Sequence, residues 1–84
     1  MITAAQIRAA QALIGWSQDQ LADRSGVSKS MIVRFGAAEN SAAVGGFAST
    51  REKLVAALES AGIMFIAENG GGAGVRLRIG KSND

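Results

Sequence analysis

The chain has 84 residues, the size of one small domain. It contains no cysteine, histidine or tyrosine, so it lacks thiolate ligands, disulfides and the commonest acid/base residue, and we expect no metal, no cofactor and no enzymatic activity. Nine basic and seven acidic residues give a net charge of only +2, so a nucleic-acid surface would depend on where the basic residues lie.

No segment predicts membrane insertion or export. The longest apolar run, residues 63–67, is too short to cross a bilayer, and the N-terminus lacks the basic and apolar regions of a signal peptide. We therefore expect a cytoplasmic location and no membrane partner.

The first predicted helix covers residues 3–14. Thr3 is a preferred N-cap residue, and Gln6 stands at N3, which is the spacing of a capping box. Apolar residues recur on one helix face, and Gly15 is expected to end the helix.

Two short helices joined by a tight turn are predicted next, over residues 17–24 and 28–36. Each begins at a serine, a preferred N-cap residue, and Gln20 stands at N3 of the first, which is again the spacing of a capping box. Gly26 lies between them, where the chain must adopt a conformation that a Cβ would disfavour. Ala22 lies four residues earlier, where the two helices would cross closely.

This spacing of small, glycine and apolar residues is that of a DNA-binding helix-turn-helix. The segment resembles the phage-repressor and Cro type of regulator, the XRE family, over roughly residues 5–61. The matching positions are Gly15-Trp16-Ser17-Gln18, Leu21-Ala22 and Gly26-Val27-Ser28. The resemblance implies a mainly α, compact four-helix (lambda-repressor-like) domain. The alternative is an αα-hairpin without DNA function, which needs the same small residue and turn glycine.

The second helix of the motif, residues 28–36, is the expected recognition helix in the major groove of double-stranded DNA. Side chains that point away from its apolar face are expected to contact bases: Lys29, Ser30, Val33 and Arg34. Contacts to the DNA backbone are expected from helix starts and from the following loop: Ser17, Gln18, Ser28, Asn40 and Ser41. The resemblance implies that Gln18 binds a phosphate and steadies a base-contacting side chain.

Two positions depart from the family pattern. Relatives carry an arginine late in the first helix, paired with a glutamate after the recognition helix, whereas this chain has Gln11 and Gly36 there. The phosphate contact of that arginine is therefore in doubt. Arg8, earlier on the first helix, is a weaker candidate for a backbone contact.

Residues 36–50 predict a loop because they are rich in Gly, Ala, Ser and Asn, with Phe47 anchoring the loop in the core. A fourth helix is predicted over residues 50–61, with Ser49 as its N-cap residue. Gly62 is expected to end it.

Residues 63–67 and 75–79 predict two strands joined by a glycine-rich loop. The chain would thus divide into a helix-turn-helix domain, residues 1–62, and a C-terminal β-hairpin and tail, residues 63–84.

Because two strands alone are marginal, the hairpin is expected to pair with a second copy in a two-fold homodimer. The expected dimer contacts are Ile63, Met64, Phe65 and Ile66. The alternative is a hairpin folded on its own core, and the arginines of the second strand, Arg76 and Arg78, are either solvated or a phosphate clamp.

The expected function is a sequence-specific transcriptional regulator, a repressor that acts by occupying its site. A homodimer would place two recognition helices about 34 Å apart on a palindromic operator. No small-molecule substrate is expected. The alternative function is an antitoxin or adaptor that captures a protein through the hairpin.

Overall fold

A computed structural model describes residues 2–38, 47–68 and 70–78. Within them, four helices precede an antiparallel hairpin, which confirms the predicted mainly α fold with a C-terminal β-hairpin. The elements are α1 (Ala4–Ile14), α2 (Gln18–Ser25), α3 (Lys29–Ala38), α4 (Ala48–Ser60), β1 (Ile63–Ile66) and β2 (Gly74–Leu77). None of the helices in these ranges is both long enough and apolar enough to cross a membrane.

Both predicted capping boxes are present. In α1, Thr3 Oγ1 accepts a hydrogen bond from Gln6 N at 3.2 Å, and Gln6 Oε1 accepts one from Thr3 N at 2.9 Å. In α2, Ser17 Oγ accepts from Gln20 N at 3.1 Å, and Gln20 Oε1 accepts from Ser17 N at 2.8 Å. Each box satisfies two amide donors that a helix start would otherwise leave unpaired.

The turn between α2 and α3 follows the prediction. Gly26 has a φ of 78°, in the left-handed region, and its N–H donates to Ala22 O at 3.0 Å. Ser28 then accepts a hydrogen bond from Met31 N on its side-chain oxygen at 3.2 Å, which caps the start of α3. The turn glycine and the cap together fix where α2 ends and α3 begins.

Two helix boundaries differ from prediction by two residues, and the others by one at most. Helix α3 continues to Ala38, past the predicted end at residue 36, because the alanines that follow Gly36 are strong helix formers. Helix α4 begins at Ala48, and Ser49 is not its N-cap residue. The N-cap position is Phe47, which makes no side-chain cap and packs its ring 6.0 Å from that of Phe35. Tertiary packing, rather than a capping side chain, thus sets the start of α4.

One hydrophobic core joins all four helices and β1. The residues that are buried completely or nearly so come from every helix and from the first strand: Ile7, Ala10, Leu21, Ile32, Phe35, Leu54, Leu58 and Ile63. Helix α3 contributes only its inner face, which leaves its outer face to solvent.

The hairpin packs on its own domain. In its register, Ile63 pairs with Leu77 and Phe65 with Val75, so these four side chains share one face of the sheet. Ile63 is only 1% exposed, and Phe65 and Val75 pack against the core. The hairpin is thus folded on its own core, as in the alternative, and this packing does not test whether it also pairs with a second copy.

This docking changes the predicted dimer contacts. The side chain of Ile63 is enclosed in the core of its own protomer and is not accessible to a second copy. Phe65 also packs inward, whereas Met64 and Ile66 lie on the other face and are half-buried. A dimer contact through this strand would thus involve Met64, Ile66 and the strand edge, and pairing with another chain remains a prediction.

The side chain of Gln6 fastens the hairpin to α1. Its Nε2 donates to Ile66 O at 3.2 Å and to Gly74 O at 3.0 Å, on both strands of the sheet. The same residue closes the α1 capping box with its oxygen. One buried glutamine therefore ties a helix start to the end of the hairpin where the connecting loop joins the two strands.

We expect Gln6→Ala to lower the free energy of unfolding by about 2–3 kcal/mol, because it removes the capping bond and two hydrogen bonds to the half-buried carbonyls of Ile66 and Gly74. The matched control is Gln20→Ala, which removes the same bond from the exposed box of α2 and should cost about 1 kcal/mol or less. Urea unfolding measures both changes. Equal losses in the two variants would show that Gln6 does not hold the hairpin.

Candidate nucleic-acid interface

The four predicted base-contacting residues lie together on the outer face of α3. Lys29, Ser30, Val33 and Arg34 are all exposed, and Val33 leaves 53% of its surface accessible although it is apolar. They are spaced three and four residues apart, so they are neighbours along one helix face. The structure thus brings these side chains together, and their contacts with bases remain a prediction.

The charge of this face is positive on α3 itself and balanced in part by α2. Helix α3 contains two basic residues, Lys29 and Arg34, and no acidic one. Lys29 Nζ lies 3.1 Å from Asp19 Oδ1, and the two side chains are 58% and 78% exposed. An ion pair that is so exposed stabilises by about 0–1 kcal/mol, so a phosphate or a base could replace Asp19 at little cost.

The other polar groups of the face have weak partners. Arg34 Nη2 donates to Met31 Sδ at 3.8 Å, and Ser30 Oγ lies 3.3 Å from Ser28 Oγ. Thioether sulfur is a weak acceptor, and the guanidinium has five donors in all. Most of the hydrogen-bonding capacity of Arg34 is therefore available to a ligand.

Ser17 and Ser28 are engaged as helix caps. Their oxygens accept hydrogen bonds from the backbone amides of Gln20 and Met31. A hydroxyl that accepts such a bond still has its own hydrogen to donate. Capping is therefore compatible with the predicted contact of each serine to a phosphate.

Gln18 is the first residue of α2 and is half-buried beside α3. Its side-chain amide has no hydrogen-bond partner among the described residues, and it lines a cleft that also includes Val33. Gln18 thus lies close to the exposed face of α3, and its contact with a phosphate remains a prediction. The other two predicted backbone contacts, Asn40 and Ser41, lie outside the described residues.

Arg8 adds a positive charge beside α3. From the sequence it was only a weaker candidate for a DNA-backbone contact. Its Nη1 lies 3.7 Å from the position that a Cβ on Gly36 would occupy. At this distance a Cβ would be in ordinary contact with the guanidinium, so Arg8 lies directly beside α3. In the family that the sequence resembles, a glutamate is expected at this position, so the departure noted at Gln11 and Gly36 leaves a different arginine next to α3.

The arginines of the hairpin contact their own domain. Arg76 Nε and Nη2 lie 3.3 and 3.2 Å from Met64 Sδ, and Arg78 Nη2 donates to Glu59 O at 2.8 Å. Arg78 thereby links β2 to α4. Within the described ranges, no group of three or more acidic side chains is placed to hold a metal ion.

Comparison with known proteins adds no further information about this surface. No family model matches the chain, and no curated protein matches it either.

Proposed function

We propose that this protein is a sequence-specific double-stranded DNA-binding regulator that inserts α3 into the major groove. The observation that carries the proposal is the outer face of α3, where Lys29, Ser30, Val33 and Arg34 are exposed beside one another. The opposite face holds Ile32 and Phe35 in the core. The outer face of α3 therefore belongs to a rigid helix, which limits the conformational entropy lost on binding DNA.

The side chains of this face suit the edges of base pairs. The guanidinium of Arg34 can donate two hydrogen bonds to O6 and N7 of one guanine, and Lys29 can donate to the same atoms. Val33 can contact the methyl group of a thymine, and the Ser30 hydroxyl can donate or accept. Together they favour binding to a specific DNA site that contains both guanine and thymine over purely electrostatic binding that is independent of sequence.

Phosphates would position this face. Gln18 and the free amides at the start of α2 are donors for one phosphate, and Arg8 adds a positive charge on the same side of α3. On binding, Lys29 would exchange the carboxylate of Asp19 for DNA. Contacts of this kind make the affinity depend strongly on salt.

A homodimer would contact the DNA with two copies of α3. The hairpin has only two strands among the described residues, so each strand has an unpaired edge. Pairing through Met64 and Ile66 would give a two-fold dimer on a palindromic operator. A dimer that covers a promoter would repress by occupancy, in the cytoplasm where the DNA lies.

The same edge also supports a second candidate function, an antitoxin or adaptor that captures a protein. Leu77 is 48% exposed on β2 although it is apolar, and the net charge of the chain is low. Purification with a small protein attached to the hairpin would favour this candidate. Selective, salt-sensitive binding to one duplex would favour the regulator.

The proposal is tested by selecting bound fragments from random duplex DNA at a stated salt concentration. We expect one enriched sequence, palindromic if the protein is a dimer, with an affinity that falls steeply as salt rises. Enrichment of no sequence, or binding that salt does not change, would contradict a regulator of this kind.

Arg34→Ala should weaken binding to the selected site by about 1–3 kcal/mol and relax the preference at one base pair, because a bidentate base contact is lost. Gln18→Ala should weaken all duplexes more evenly, since it removes a phosphate contact. Fluorescence anisotropy with matched and mutated duplexes separates the two effects. Lys53→Ala is the control, because it removes a charge from α4, outside α3.

Asp19→Asn should raise the affinity for every duplex by up to about fivefold at low salt, a change of about 1 kcal/mol, because Lys29 loses its competing partner. The slope of log affinity against log salt should also become steeper. Asp23→Asn is the matched control, since it removes a charge from the same helix at a residue with no ion pair in the described part of the chain. Equal gains in both variants would show that the Lys29–Asp19 pair has no specific role.

A further inference from the structure

A cleft of about 260 Å³ lies between α1 and α3. Its floor is apolar, formed by Ala4, Ile7, Ile32 and Phe35, and three polar side chains face it: Arg8, Gln11 and Gln18. The combination of an apolar floor with a few convergent polar groups is typical of small-molecule sites, and this volume is slightly below their usual range of about 300–1,000 Å³, which suits a small ligand.

Gln11 is the unusual residue of this cleft. Its side chain is only 9% exposed, and its amide has no hydrogen-bond partner among the described residues. Buried side-chain amides are generally paired, as Gln6 shows on the same helix, where its amide bonds both strands of the hairpin. The amide of Gln11 therefore offers donors and an acceptor to something that enters the cleft.

Arg8 lies at the exposed side of the cleft, one helical turn before Gln11. Its guanidinium has no ion-pair partner in the described part of the chain and lies beside Gly36. A side chain larger than hydrogen at Gly36 would approach that guanidinium and narrow the cleft. The cleft is thus open, with a cation at its entrance and an unpaired amide inside.

We propose that this cleft binds a small organic carboxylate. The carboxylate would accept hydrogen bonds from the guanidinium of Arg8 and the amides of Gln11 and Gln18, and charge-assisted bonds of this kind are among the strongest. The apolar part of the molecule would lie against the exposed side chain of Val33, above the buried Ile7 and Ile32. Arg8 supplies the positive charge. The carboxylate in turn gives the amide of Gln11 the hydrogen-bond partner that it lacks among the described residues.

The depth of Gln11 argues against a phosphate of the DNA backbone as the occupant. A duplex is a rigid rod, and its phosphates cannot reach a side chain that is 9% exposed between two helices. The apolar floor also disfavours a strongly hydrated, doubly charged phosphate more than a carboxylate with an apolar body. A small free molecule meets both conditions.

Binding in the cleft would oppose DNA binding, a consequence that rests on the proposed function. Gln18 and Val33 line the cleft and also belong to the proposed DNA surface. A bound carboxylate would occupy the amide of Gln18 and place a negative charge beside α3. The two ligands would therefore lower each other's affinity.

The test is a titration of the full 15N-labelled chain with benzoate, without DNA, followed by NMR. We expect saturable shifts of the side-chain amides of Gln11 and Gln18 and of the backbone amide of Gly36. Arg8→Ala and Gln11→Leu should each weaken binding about tenfold, and Gln11→Leu keeps the site packed, so a folding defect is not the cause. Arg24→Ala, which removes an exposed arginine that lies over Trp16 instead, should leave the affinity unchanged.

Two outcomes would overturn the site. One is the absence of saturable shifts at these residues with millimolar benzoate. The other is an equal response to inorganic phosphate, which would make the cleft a general anion site. If benzoate binds as expected but the chain selects no duplex, the proposed function fails while the carboxylate site stands. If both ligands bind, benzoate should lower DNA affinity in the natural chain and not in Gln11→Leu.

Discussion

The left-handed turn at Gly26 determines which face of α3 is exposed to solvent. Its φ of 78° lets the amide close the end of α2 on Ala22 and sends the chain directly into α3. A residue with a Cβ would have to hold the same conformation at a cost of about 1–2 kcal/mol. Because the turn sets the direction of α3, it also decides that Ile32 enters the core while Arg34 faces outward.

Helix α1 supports this arrangement from the other side through two buried glutamines with opposite roles. Gln6 has its donors and acceptor fully used, by the cap of its own helix and by both hairpin strands. Gln11 is nearly as buried and unpaired among the described residues, in a cleft that borders the proposed DNA surface. The first glutamine stabilises the fold, and the second creates a place where a ligand could influence α3.

The sequence predicted the features that depend on neighbours along the chain. The capping boxes at Thr3 and Ser17 and the turn at Gly26 were all correct, because each is decided within a few residues. The exposed face of α3 also followed from helical spacing. The features that depend on distant residues were missed: the N-cap position of α4 at Phe47, and the approach of Arg8 to Gly36. Packing of the hairpin on its own core was predicted only as an alternative. No local sequence pattern indicates that Gln6 bonds both strands.

The central claim is that the outer face of α3 is the surface that meets DNA. It is tested most directly by adding the selected duplex to the 15N-labelled chain and mapping which backbone amides shift. The account predicts the largest changes from Lys29 to Arg34 and at Gln18, with Leu54 and Leu58 in the core of α4 almost unchanged. Shifts confined to α4 and the hairpin, with α3 unaffected, would contradict it.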